Sequence, residues 1–152
     1  MIGELDDKMI DMVLENNIVG RLGYREEEKM YIVPLNYLYF SNRYILIHSR
    51  EGQKIHILRK YPEVCFEVDE IDNISNYKSI LVWGKYEELT DPKERHYALE
   101  LLIRRIHKQK IAETNISGST LPVPEDMILP DKEKEIVYRI RITEKSGRFE
   151  KE

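Results

Sequence analysis

The segment His48-Ser49-Arg50-Glu51-Gly52-Gln53-Lys54 is the richest in usable chemistry, and it joins the end of a predicted strand to the start of a predicted helix. A helix N-terminus offers unpaired backbone N–H groups, and a glycine in front of it lets the chain turn closely. Ser49 adds a hydroxyl, while Arg50 and Lys54 add positive charge. These are the parts of a phosphate site, although a solvated turn with scattered charges is the plainer alternative. A second oddity is Pro34, inside Tyr31-Ile32-Val33-Pro34-Leu35-Asn36-Tyr37. A central strand does not hold a proline, so this run must lie at an edge or bulge. Such an edge leaves main-chain groups free to meet a flat heterocycle, and Asn36 adds an amide. An edge protected against aggregation explains the proline equally well.

Other groups carry weaker signals. Glu67, Asp69 and Glu70 could pair as acids, but a solvated strand end is simpler. Trp83, beside Gly84, reads as core or as a ring that stacks on a ligand or partner. Arg104-Arg105 reads as a wet helix face. The four histidines, at 48, 56, 96 and 107, form no pair at metal-ligand spacing. No nucleophile elbow, Walker loop or dinucleotide-binding glycine pattern occurs, which argues against hydrolase, Walker and Rossmann classes. The single cysteine, Cys65, sits in Val64-Cys65-Phe66 and reads as a buried strand residue. One cysteine excludes an internal disulfide and fits a reducing cytoplasm.

The elements that must position these groups fit one domain, 1–152. A chain of 152 residues with 41% hydrophobic and 34% charged residues buries a core without staples. The net charge of −4 lowers the prior for nucleic-acid binding, and no apolar run is long enough to span a bilayer. Helical spacing of Leu5, Met9, Met12 and Val13 predicts a helix over Glu4–Asn16. Strands are expected at Ile18–Arg25, Met30–Phe40 and Tyr44–Ser49, as a three-strand meander with a tight turn at Ser41-Asn42-Arg43. A short helix over Gln53–Lys60 stops at Pro62. Strands Val64–Val68 and Ile80–Tyr86 flank a polar segment, Asp69–Tyr77. Asp91-Pro92-Lys93-Glu94 is a helix start, with Asp91 as cap and Pro92 in the first turn, for a helix to about Lys108. A long loop covers 112–130, Ile136–Ile142 is the last strand, and 144–152 is a polar tail. The count of six mostly antiparallel strands and three helices favours a small barrel.

In this order, Val19-Gly20-Arg21-Leu22, Val33-Pro34-Leu35-Asn36-Tyr37, His48-Ser49 with Gly52 and Lys54, Val64-Cys65-Phe66-Glu67-Val68-Asp69 and Ser79 to Gly84 resemble the flavin-binding split barrel of the pyridoxamine 5′-phosphate oxidase superfamily. The nitroimidazole-resistance-like branch matches best. The resemblance implies a mainly β, six-stranded antiparallel split barrel with flanking helices, forming a homodimer with FMN at the subunit interface. It implies that Lys54 holds the phosphate, helped by Ser49 and the Gly52-Gln53 backbone. Val33, Pro34, Leu35 and Asn36 would line the isoalloxazine through main-chain groups, and Ser79 and Trp83 would approach the cofactor. His48 matches a histidine near the flavin that could orient a substrate or donate a proton.

The oxidase's basic strand is replaced here by Tyr31-Ile32-Val33-Pro34, and its C-terminal arginine and tryptophan set by Gly147-Arg148-Phe149-Glu150. The expected function is therefore a cytoplasmic FMN-dependent oxidoreductase for a nitroaromatic or quinone-like molecule ahead of a pyridoxine phosphate. FAD or a deazaflavin could replace FMN. A non-catalytic flavin carrier or sensor, or a haem protein using His48 or His107, are the rival readings; a pure interaction module would leave the His48–Lys54 segment unexplained. Nucleic-acid and membrane partners are not expected.

Overall fold

The computed structural model of the chain describes residues 1–113 and 135–152. The expected loop 112–130 lies outside the described residues, apart from its first two, which are helical. The elements are β1 (Ile2–Glu4), α1 (Asp7–Asn16), β2 (Val19–Glu26), β3 (Lys29–Asn36), β4 (Leu38–Phe40) and β5 (Tyr44–Arg50), then α2 (Gln53–Lys60), β6 (Glu63–Asn73), β7 (Asn76–Glu88), α3 (Pro92–Glu113) and β8 (Glu135–Glu150). All pairings are antiparallel, in the order β3-β2-β6-β7-β8-β5-β4, with β1 added to β8. Six longer strands form the split barrel; β1 and β4 are three-residue additions. No described helix is long and apolar enough to cross a membrane.

Strand alternation sends Leu22, Phe66, Val68, Ile80, Val82, Tyr138 and Ile140 inward, where Ile10, Val13 and Leu14 of α1 and Ile55 and Leu58 of α2 complete the core. A second cluster forms where α3 lays Ala98, Leu99 and Leu102 on Leu46 and Val137. The predicted cap of α3 is present: Asp91 accepts from the Glu94 N–H at 3.1 Å. Asp6 caps α1 in the same way, accepting from Met9 at 2.9 Å.

Three expectations change. The run Met30–Phe40 is not one strand, and the meander stops after β3. Tyr37 interrupts the run; its ring is fully buried, and its hydroxyl donates to the Leu14 carbonyl at 2.7 Å. β4 and β5 therefore pair at the far end of the sheet, and the barrel is joined there by the covalent chain rather than by a ladder. Next, Asp69–Tyr77 is largely strand, because β6 and β7 continue pairing outward to Asn73 and Asn76. Finally, the polar stretch 144–150 is the second half of β8, held by β7 and β1. Its polar residues hid it, since most of their side chains remain exposed or half-buried.

Local signals account for the remaining joints. Ser41 and Asn42 both take φ 57°, the left-handed region expected of the tight turn. The register of β7 against β8 shifts at Trp83/Gly84, where a Cβ on Gly84 would collide with the Arg141 carbonyl. Arg105 is not a wet-face residue: it reaches across to donate to the carbonyls of Glu15 and Asn17 at 2.7 and 3.2 Å. It caps the α1 C-terminus, whose last turn has no basic residue of its own.

Candidate functional site

The seam between β3 and β5 is open, and its first cause is Pro34. β3 is an edge strand, as a proline requires, with β2 on its one paired side. Val33 and Leu35 turn toward the core, while Pro34 and Asn36 face outward. Pro34, Leu35 and Asn36 meet His48 of β5 and Val19 of β2 around a cleft of about 320 Å³. Four predicted residues thus share one concavity, and Val19 is an addition that the sequence reading did not assign to the site.

At the end of β5 the chain enters α2 through Ser49–Gly52. The Ser49 Oγ is buried and finds no hydrogen-bond partner among the described residues. Lys54, in the first turn of α2, is half-buried, and burial pushes its ammonium below the usual lysine range. No carboxylate among the described residues opposes that shift. Glu51, which would repel an anion here, is instead engaged by Arg59 at 2.6 Å and His56 at 3.1 Å; the Arg59 bond holds its carboxyl below the usual range. Gly52 is extended at φ 174°, so the conformation itself does not demand glycine. A Cβ there would meet no atom of the described residues within 4 Å, so they leave the space before the helix open. Among the described residues the arrangement leaves an orphaned hydroxyl and a cation without a carboxylate at a helix start, where backbone N–H groups favour an anion.

Ser79 and Trp83 lie elsewhere, on the outer face of the sheet. Ser79 donates to Glu67 at 3.0 Å, and Arg21 reaches both Glu67 and Asp69, at 3.4 and 3.2 Å. The two carboxylates, read from sequence as a solvated strand end, are instead an assembled pair, 28% and 20% exposed. Burial, with the neighbouring Asp69, pushes the Glu67 carboxyl above its ordinary value. A cavity of about 410 Å³ adjoins them, walled by Ile71, Ile74 and Tyr77. Trp83 borders a third, apolar hollow of about 350 Å³ with Met30, Ile32 and Cys65. Cys65 is half-exposed rather than buried, because alternation turns Val64 and Phe66 inward and the thiol out. Within one chain, then, Ser79 and Trp83 do not join the seam cleft. Arg21 links the two regions, since it stands opposite Pro34 on one side and Glu67 on the other.

The model of a family described as "Pyridoxamine 5′-phosphate oxidase" matches residues 6–149. The chain belongs to the pyridoxamine 5′-phosphate oxidase family. Every site residue named above falls inside the matched span. Among solved structures, an FAD-binding protein from Mesorhizobium loti is similar over 99% of both chains, with TM-score 0.71 and 28% identity. A candidate 5-nitroimidazole antibiotic resistance protein from Bacteroides thetaiotaomicron shares the fold over 98% of this chain and 87% of its own, with TM-score 0.71 and 19% identity. An uncharacterised protein of Rhizobium meliloti is 28% identical over 134 residues, covering 86% of this chain and 83% of its own. In this member of the pyridoxamine 5′-phosphate oxidase family, β3 exposes Met30 and Ile32, at 80% and 79%. Residues 147–150 are tied into β8, where Arg148 stands opposite Ser79 and Glu4.

Proposed function

We propose that the protein is an FMN-dependent oxidoreductase acting on a small organic molecule, of the nitroaromatic or quinone-like class, as a homodimer in the cytoplasm. The observation that carries the reading is the start of α2: among the described residues Lys54 is half-buried with no carboxylate beside it, and the buried Ser49 hydroxyl has no partner. Lys54 and Ser49 would hold the flavin phosphate, with the Gly52-Gln53 backbone N–H groups completing its shell. The free edge at Val33–Asn36 would present main-chain groups to the ring system. Hydride or electron transfer is chemistry supplied by the isoalloxazine. The protein's part is to bind, orient and exclude water. The exposed apolar strip of Met30, Ile32 and Trp83 supports the dimer, because a patch of this kind on a small domain marks an interface.

The test is an absorbance spectrum of the purified protein, repeated after FMN or FAD has been added and the excess removed. Retained flavin bands support the reading, and the tighter of the two flavins names the cofactor. A Soret band in their place assigns the protein to haem chemistry and removes Lys54 from its role.

A further inference from the structure

His48 is held by a group 87 positions away in the chain. Its Nδ1 lies 3.0 Å from Oε2 of Glu135, and the side chains are 26% and 19% exposed. Strand pairing puts them together: Arg50 stands opposite Glu135 and His48 opposite Val137, so His48, Arg50 and Glu135 share one face. The other Glu135 oxygen is 3.8 Å from Arg50 Nε. The Glu135 main-chain carbonyl accepts from Arg95 of α3, which anchors the strand at this point. His48 also lines the seam cleft, with Val19, Pro34, Leu35 and Asn36.

A carboxylate can only accept hydrogen bonds, so the imidazole nitrogen facing it must carry the proton. In a neutral imidazole the other nitrogen is then an acceptor. We propose that Glu135 is a positioning residue that locks His48 as the Nδ1–H tautomer, so that Nε2 accepts a hydrogen bond from an N–H or O–H group in the seam cleft. The inference deepens the flavin reading and rests on it for the identity of the occupant. Two sources share the donor chemistry: the flavin itself, through its ring N–H or side-chain hydroxyls, and the hydroquinone form of a quinone-like substrate.

The test is the tautomer of His48, read from imidazole nitrogen shifts of ¹⁵N-labelled, flavin-free protein at a pH where the ring is neutral. The Nδ1–H form is expected to dominate, against the Nε2–H preference of free histidine. Glu135→Gln is expected to lower the Nδ1–H to Nε2–H ratio by about tenfold or more, the scale of one hydrogen bond to a charged group. A wild-type ring that is mainly Nε2–H overturns the proposal, and this arm does not depend on whether the variant folds. An unchanged ratio in a folded Glu135→Gln protein also overturns it. FMN is then added, followed by hydroquinone. An Nε2 shift on FMN alone assigns the donor to the flavin, and one appearing only with hydroquinone assigns it to the second molecule. No shift with either overturns the acceptor role. If the tautomer is as expected but no FMN is retained after desalting, the dyad stands and the flavin assignment falls.

Discussion

Lys54→Met separates binding from stability, because the same lysine acts on them with opposite signs. The change removes the ammonium and keeps most of the apolar stem. An ammonium–phosphate hydrogen bond contributes about 1.5–3 kcal/mol, so the FMN Kd is expected to rise about 10- to 150-fold. Without flavin the ammonium is a liability: burial pushes its pKa below 10.5, and no carboxylate among the described residues compensates. Between the lowered folded value and 10.5 the unfolded chain binds more protons than the folded one, so wild-type stability rises with pH across that window. Below the window the penalty is present in full. The flavin-free variant should therefore melt higher than wild type at neutral pH, and the gain should vanish as pH approaches 10.5. The side chain keeps partial contact with water, so the stability gain is small beside the loss of affinity. Equilibrium dialysis gives the Kd, and paired thermal melts with and without FMN give the sign. An unchanged Kd removes Lys54 from the phosphate role, and a lower melting point for the flavin-free variant refutes the claim of an uncompensated buried cation.

Three further outcomes are expected. Tyr37→Phe should destabilise the fold by about 1–3 kcal/mol in urea titration, since it leaves the Leu14 carbonyl buried without its donor; a neutral result would show that another group takes over that carbonyl. Glu67→Gln should raise the melting point at neutral pH, where burial and Asp69 disfavour the Glu67 charge. Because the folded carboxyl titrates above the unfolded one, the penalty is full above the raised value and relieved below about pH 4.5, so the gain should disappear in melts at lower pH. If the protein is the proposed homodimer, Trp83→Glu should either give monomers in sedimentation or reduce flavin uptake, and a dimeric variant with full flavin occupancy would break the link between the apolar face and the site.

Local chemistry made much of the fold legible. The helix Gln53–Lys60 has the bounds read from sequence, because Gly52 and Pro62 delimit it and Ile55, Ile57 and Leu58 mark its buried side. The start of α3 was readable from Asp91 and Pro92, which act within one turn. The edge position of β3 followed from the missing N–H of Pro34. What escaped is non-local. The switch at Tyr37 depends on a hydrogen bond to α1, 23 residues back. The strand character of 144–150 depends on having β7 and β1 as neighbours, which no period in those polar residues announces.

The same division runs through the candidate site. The sequence by itself pointed to the barrel class and marked His48–Lys54 as a candidate phosphate segment, because spacing, glycine, proline and charge act over a few residues. It also placed His48 and Asn36 among the chemistry-bearing residues. Only the tertiary structure decided that Pro34, Asn36 and His48 share a cleft, and that Glu135 faces His48. It decided as well that Arg21, Glu67, Asp69 and Ser79 form one cluster on another face of the sheet. Those groupings arise from strand register, which brings residues tens of positions apart within hydrogen-bond distance and is set by the packing of the whole core.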